Sequence, residues 1–352
     1  MLSLFKQKTA GWVGVDIGSS SVKLVALTKH GQSCQIEGYA IAPLPPTAVV
    51  DGNVEIPSEV SDAIERGLKM CGIKLTHAVT AVPSSAVITK RLEISNAFAG
   101  LDLEDQVQVE ADQFIPYPLD EVALDFEVLG PVEKAPELNE ILLVACRRDD
   151  VDSREDAING SGLKCEVVDI DTYAIERTLA LLEGTVDAGA VIGVVDIGAA
   201  TLTLNVFRGN RIIYNREQAF GGNDLTNMIH QHKGLAVAEV EQLLHGGELD
   251  AETVETLVLP FRQSVVQQVS RALQFYYSSG SQGQLGKLYL AGGTSGLEGL
   301  AEMVEDEIGV PTQVANPFDT MQIGPRINTA RLEKDAPSLL KACGLAQRSF
   351  EI

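Results

Sequence analysis

Asp16 and Asp196 lie 180 positions apart (196 − 16), each inside a near-copy of one segment, VDIGSSSVKLVAL at 15–27 and VDIGAATLTLNVF at 195–207. In each copy a short apolar run delivers an Asp and a Gly into a turn of small residues, and a second β-rich run leaves it, a strand–turn–strand pattern. Glycine permits close backbone approach and φ values closed to other residues. Successive N–H groups of such a turn form a concavity that attracts anions. A carboxylate beside that concavity calls for a hard cation between it and a phosphate, and magnesium takes oxygen ligands of this kind. The duplicated turn therefore points to a nucleotide gripped between two pseudo-repeated halves, with Asp16 and Asp196 facing Mg2+ directly or through water. Capping of the turns by the two aspartates would explain either copy alone, but not the duplication.

Further along, 285–290 reads as a buried strand running into Ala291-Gly292-Gly293-Thr294-Ser295-Gly296, and a helix leaves over 297–308. A glycine turn at a helix N-terminus is a second prospective phosphate or nucleotide contact, although this motif alone is common. Gly221-Gly222-Asn223-Asp224 opens another helix to about position 232. Asp171 opens a helix through 182 and is read either as an N-cap or as a catalytic carboxylate. His230 and His232, two apart on a helix, face different directions and make a poor metal pair.

The remaining elements must hold these turns. Residues 11–17, 22–28 and 33–42 predict a three-strand meander with a turn at 29–32. A helix capped by Ser58 and a buried strand at 78–82 follow. From 84 to 163 the pattern changes to strand, helix, strand, strand, helix, and reads as an inserted subdomain. It contains the loop Phe114-Ile115-Pro116-Tyr117-Pro118, either a buried structural turn or the wall of a groove for an apolar peptide. A strand at 163–170 leads to the Asp171 helix and the second Asp-Gly turn. Gly209-Asn210 closes a hairpin, and Val254, Leu257, Val258, Phe261, Val265, Val269 and Leu273 mark one face of a long amphipathic helix.

At 352 residues the chain exceeds the size of a single core, roughly 250–300 residues. A net charge of −22 opposes binding to nucleic acid or to anionic lipid, whose affinities are built on Lys and Arg. The five cysteines are scattered without a C-x-x-C pair, which indicates neither a disulfide framework nor a zinc site and fits a reducing cytoplasm. No apolar run long enough to span a membrane is present, so membrane association is expected to be indirect. The opening MLSLF is read as a frayed start.

Two D-x-G turns, the helix between them, the G-G-N-D turn and the A-G-G-T-S-G turn follow the order of the actin-like ATPase superfamily, which includes actin, heat-shock chaperones, sugar kinases and FtsA. Within it the chain resembles the PilM family of type IV pilus assembly, through AVPSSAVITK (81–90), EADQFIPYPLDEVALDFEVLG (110–130), VVDIDTYAIERTLALL (167–182) and LLKACGLAQRSF (339–350). The resemblance implies an α/β, actin-like ATPase fold of two pseudo-repeated domains with an inserted FtsA-type small subdomain. Its expected boundaries are 1–83 and 164–190 for the first domain core, 84–163 for the insert, 191–328 for the second domain with its helical subdomain, and 329–352 for a segment returning to the first.

The same resemblance assigns Asp16, Gly18, Ser19, Ser20, Ser21 and Lys23 to the first phosphate motif, and Asp196, Gly198, Ala199, Ala200 and Thr201 to the second. Gly221, Gly222 and Asn223 match the interdomain and ribose side, Glu241 a ribose-contacting glutamate of the FtsA branch, and Gly292, Gly293, Thr294 and Ser295 the adenosine motif. ATP or ADP with Mg2+ is the implied ligand. Many relatives have D-I-G-G-G-T where Ala199 and Ala200 stand here, which limits backbone approach to a phosphate, and often a lysine in place of Leu244. Asp171 stands where hydrolysing relatives tend to carry a longer glutamate, and misplacing a water by about 1 Å costs on the order of 10²-fold in rate. The expectation is ATP binding with slow turnover at most.

The implied partner is the cytoplasmic N-terminal peptide of PilN, bound beside the insert and drawing a cytoplasmic protein to the inner membrane; other pilus assembly proteins and self-association are further partners. An FtsA-like filament and a sugar-kinase-like phosphotransferase are the alternatives. FtsA carries a linker and an amphipathic tail helix where this chain stops at QRSFEI, and no sugar pocket with a general base stands out.

Overall fold

The computed structural model describes residues 8–31, 33–280 and 283–351; the reading of MLSLF falls outside them. Alternating apolar and small residues build the strands β1 (Lys8–Ile17), β2 (Ser21–His30) and β3 (Ser33–Pro43), followed by the short ribbon β4 (Val49–Val50) and β5 (Asn53–Val54). Helix α1 (Pro57–Cys71) begins two residues earlier than a Ser58 cap requires. Pro57 takes its first position, where a missing N–H costs nothing and φ is already helical. Strand β6 (His77–Val82) returns to the sheet.

The next layer comprises β7 (Ile88–Ser95), α2 (Leu101–Ala111), β8 (Val122–Val132) and β9 (Ala135–Arg147), and α3 (Arg148–Gly160) then packs back on α1, with Ala157 and Ile158 in the core of the first sheet. Strand β10 (Lys164–Ile170) and helix α4 (Asp171–Glu183) lead back to a second meander, β11 (Val191–Ile197), β12 (Thr201–Arg208) and β13 (Arg211–Ala219). Helices α5 (Gly222–Lys233), α6 (Val237–Gly246), α7 (Ala251–Thr253) and α8 (Leu259–Ser278) follow. Then come β14 (Lys287–Ala291), α9 (Leu300–Ile308), β15 (Thr312–Val314), β16 (Gln322–Ile323), α10 (Thr329–Asp335) and α11 (Leu340–Arg348). The long amphipathic helix read from 254 onward is broken by a π turn at 254–258 just before α8. Pro260 lacks the N–H that an unbroken α ladder would need there.

The sequence repeat reappears as topology. One sheet has the order β10-β6-β1-β2-β3-β16 and the other β13-β12-β11-β14-β15. In both, an antiparallel meander is joined at its first strand by parallel strands: β6 beside β1, and β14 beside β11. Val13, Val15, Val22 and Leu24 in one core and Val195, Ile197, Leu202 and Leu204 in the other are fully buried. The three-stranded sheet β7-β9-β8 forms a separate layer around Leu92, Val107, Ile141 and Leu143.

Helix α11 is wedged between the first sheet and α4. A Cβ on Gly14 of β1 would stand 2.0 Å from the Ala342 carbonyl oxygen, and one on Gly344 would stand 1.8 Å from that of Ala174. Only hydrogen at these two positions permits backbone contact this close. Among the described residues, no helix is long and apolar enough to cross a membrane.

Candidate functional site

The carboxyl ends of the parallel strands of both sheets meet at one cleft, the usual place for ligands in such sheets. Asp16 ends β1, Asp171 follows β10, Asp196 ends β11 and Gly292 follows β14. In the first turn Gly18 N–H donates to Ser21 O at 3.1 Å, and in the second Gly198 N–H donates to Thr201 O at 2.9 Å. Each hairpin is thus closed by its glycine. Among the described residues the N–H groups of Ser19, Ser20, Ala199 and Ala200 have no partner, which leaves four free donors in the two turns, a set that suits phosphate oxygens.

The structure packs the second-half motifs together. Gly222 N–H donates to Gly198 O at 2.9 Å, Asn223 N–H to Ala199 O at 2.8 Å, and Thr294 Oγ1 lies 3.4 Å from Gly198 O. Gly292 has φ +87° and a Cβ there would meet Ile197 O at 2.3 Å and Asp196 Oδ1 at 2.5 Å, so only glycine fits. Ser295 is buried and donates to Gly292 O at 2.7 Å, while Gly293 is exposed at the mouth of the turn. Glu241 is different. It is exposed on α6, which packs against α5, and makes no hydrogen bond or ion pair with these turns among the described residues. Leu244 packs partly buried against the second-sheet core.

Four carboxylates, Asp16, Asp171, Asp196 and Glu217, face two ammonium groups, Lys23 and Lys341. Lys23 stands opposite Asp16 in the β1–β2 register and its Nζ is 3.4 Å from Asp16 Oδ2. Burial raises the pKa of Asp16, but Lys23 and Lys341 outweigh it and hold the group below its ordinary value. Lys341, in the first turn of α11, places Nζ 2.8 Å from Asp196 Oδ2 and 4.0 Å from Asp171 Oδ2. Burial opposes its charge, yet the fields of Asp196, Asp16 and Asp171 exceed that penalty and raise its pKa well above the ordinary value.

Asp171 does not cap a helix starting at Thr172, because α4 already includes it and the cap position is Ile170. Its Oδ1 accepts instead from Ser84 N–H at 2.9 Å, across 87 residues of chain. Burial, reinforced by Asp196, raises its pKa despite Lys341 and Ser84. Glu217 on β13 is likewise raised, by burial and then by Asp171, against the opposing pull of Lys341 and Ser85. Lys341, Ser84, Ser85 and Glu217 are the residues that motif reading missed. The available signal for the first was a lone lysine in an otherwise buried stretch, 339–346.

The 84–88 segment leads from this cleft to an open cavity of about 270 Å3, lined by Asn53, Ser85, Val87, Ile88, Tyr117 and Arg147 among others. The Arg147 guanidinium lies 4.6 Å from the Tyr117 ring centroid. The 114–118 loop is in part the buried structural turn it was read as, since Ile115 is buried in the core of the three-stranded layer, while Tyr117 lines the cavity.

The family model for type IV pilus assembly protein PilM matches residues 14–350. The chain belongs to the PilM family. A solved PilM–PilN type IV pilus biogenesis complex is similar to this PilM-family chain, with 28% identity over 97% of this chain and 99% of that one, and a TM-score of 0.79. The ethanolamine utilization protein EutJ from Carboxydothermus hydrogenoformans shares the fold at a TM-score of 0.55, with 17% identity over 97% and 90% of the two chains. The actin-like ATPase fold that the resemblance implied is the fold observed.

Proposed function

We propose that this PilM-family protein is a nucleotide-binding platform of type IV pilus assembly that couples the state of its cleft to capture of the cytoplasmic N-terminal segment of a PilN partner. The nucleotide reading is supported by the four unpartnered N–H donors and by the glycines at 221, 222 and 292, where any side chain would push the turns apart. ATP or ADP would be held by the turns at Asp16 to Ser21 and Asp196 to Thr201 on the phosphate side, with Gly221 to Asn223 and Gly292 to Ser295 beside them. Mg2+ would shield phosphate charge from Asp16 and Asp196. No three or more His, Cys, Asp or Glu among the described residues form a ready metal cluster, which favours contact through water.

The partner reading draws on the similar PilM–PilN complex. It is carried by one observation here: Asp171 binds the cleft to Ser84, and the residues after Ser84 wall the cavity. Val87, Ile88 and Tyr117 offer apolar contacts, while Arg147 and Asp150 offer charge, a combination that suits an extended peptide. Recruitment through that peptide would bring a protein of net charge −22 to an anionic membrane surface without direct lipid contact.

The test is calorimetric titration of a synthetic PilN N-terminal peptide with and without ATP·Mg2+. Saturable binding whose affinity changes about 5- to 150-fold with nucleotide is the expected result. Equal affinity in both states would remove the coupling, and no binding in either would remove the PilN platform.

A self-associating, filament-like role is the second reading. Phe98, Leu101, Val109, Val128 and Leu129 are exposed in the three-stranded layer and its helix. Sedimentation with ATP at high protein concentration distinguishes it, since a filament pellets.

A further inference from the structure

The two halves differ in how they neutralise their aspartates. Asp16 has Lys23 seven residues later, directly opposite it in the hairpin register. The same position in the second hairpin, opposite Asp196, is Thr203. A threonine supplies no charge, and Asp196 is only 8% exposed. Its cation arrives instead from a distant part of the chain, as Lys341 on α11.

Lys341 is an unexpected residue where it stands. It occupies the second position of α11, where the helix dipole disfavours a cation. Its neighbours Leu339, Leu340, Ala342 and Cys343 are all buried. The side chain nevertheless reaches Asp196 of the second sheet at 2.8 Å and Asp171 beside the first at 4.0 Å, with Asp16 also in its field. One ammonium thus serves carboxylates from both halves, and α11 cannot slide away, because Gly14 and Gly344 seat it against β1 and α4 with no spare space.

The geometry points to Lys341 as the resident cation of the cleft: it holds the place between Asp196 and Asp171 that a divalent ion would take, and it lends nucleotide phosphates a fixed positive charge that needs no metal. This inference rests on the nucleotide reading above for its second half only; its first half is tested without nucleotide. With Lys341 in position, Mg2+ alone gains little by entering. Without it, Asp196 and Asp171 lose the ammonium they share while Asp16 keeps Lys23, and a hydrated divalent ion becomes their natural counter-ion.

The experiment compares wild type, Lys341→Met and Lys341→Arg in two assays. The first is thermal melting with Mg2+ against EDTA, no nucleotide present. Wild type and Lys341→Arg should melt at the same temperature in both conditions, and Lys341→Met should gain several degrees from Mg2+. A wild-type gain equal to that of Lys341→Met overturns the resident-cation role, as does the absence of any gain in Lys341→Met.

The second assay is titration of ADP in EDTA and in Mg2+. Wild type should bind within about tenfold in the two conditions, whereas Lys341→Met should lose about 10- to 100-fold in EDTA and recover in Mg2+. Wild-type binding only with Mg2+ overturns the phosphate role of Lys341 alone, while no ADP binding in either condition overturns the nucleotide reading and leaves the melting result to stand. The double variant Lys341→Met/Thr203→Lys, which places the lysine as in the first hairpin, should restore metal-independent melting.

Discussion

Removing the Asp171 side chain separates a tie between cleft and groove from a catalytic carboxylate. In Asp171→Ala the Ser84 N–H loses its acceptor, and an unmade hydrogen bond of that kind costs about 1–3 kcal/mol. Part of that cost is offset, because the carboxylate is buried and its pKa is raised, so its charge is held at a penalty. A net loss of about 1 kcal/mol would lower a melting temperature by only a few degrees in a chain this long. Coupling is affected differently. The 84–88 segment would no longer sense the cleft, and the dependence of PilN-peptide affinity on ATP·Mg2+ should fall below about twofold from the 5- to 150-fold range expected of coupled sites. Asp171→Asn keeps an acceptor for Ser84 and loses only the charge, so it should retain the coupling while any hydrolysis that depends on the carboxylate disappears. Peptide titration in both nucleotide states, on both variants, is the assay. Undiminished coupling in Asp171→Ala would refute the reasoning, and so would equal loss of coupling in both variants.

The same carboxylate has a pH signature. Its folded pKa lies above the ordinary 3.8, so the folded state holds the proton longer than the unfolded chain, and the group subtracts stability as pH rises from 3.8 through the folded value. The melting temperature of Asp171→Asn minus that of wild type should therefore grow as pH rises through this window and then level off; a difference that shrinks contradicts the sign. Gly344→Ala puts a methyl 1.8 Å from the Ala174 carbonyl oxygen and should cost about 3 kcal/mol or fail to fold, seen as a lower urea midpoint; an unchanged midpoint would mean α11 is not seated as described. Arg154, 2% exposed, donates to the carbonyls of Ala81, Asp150 and Gly52, and Arg154→Met should cost about 3 kcal/mol by orphaning them, again read from urea unfolding. Burial raises the Cys165 thiol to about 11, so at pH 8 only about 0.1% is thiolate and alkylation should run about 10²-fold slower than for a free cysteine, measured by mass spectrometry of that peptide.

Sequence by itself determined the local pattern: the Asp-Gly turns, the glycine turns at 221–222 and 292–293, and the order of strands and helices around them, which together carry the resemblance that implied the actin-like fold. These are legible because a turn needing φ above zero or a close backbone approach restricts residue type within a few positions, and strand alternation is likewise a short-range pattern. The two Asp-Gly hairpins even reproduce one register, with Asp16 opposite Lys23 and Asp196 opposite Thr203. Tertiary structure alone decided which charges answer which. Lys341 meets Asp196 across 145 positions (341 − 196), and Asp171 meets Ser84 across 87. Neither pairing has a local pattern, since each depends on where α11 and the end of β6 come to rest once both sheets have packed. A buried charge takes its partner from whatever the fold brings within a few ångströms, and that distance is a property of the assembled chain.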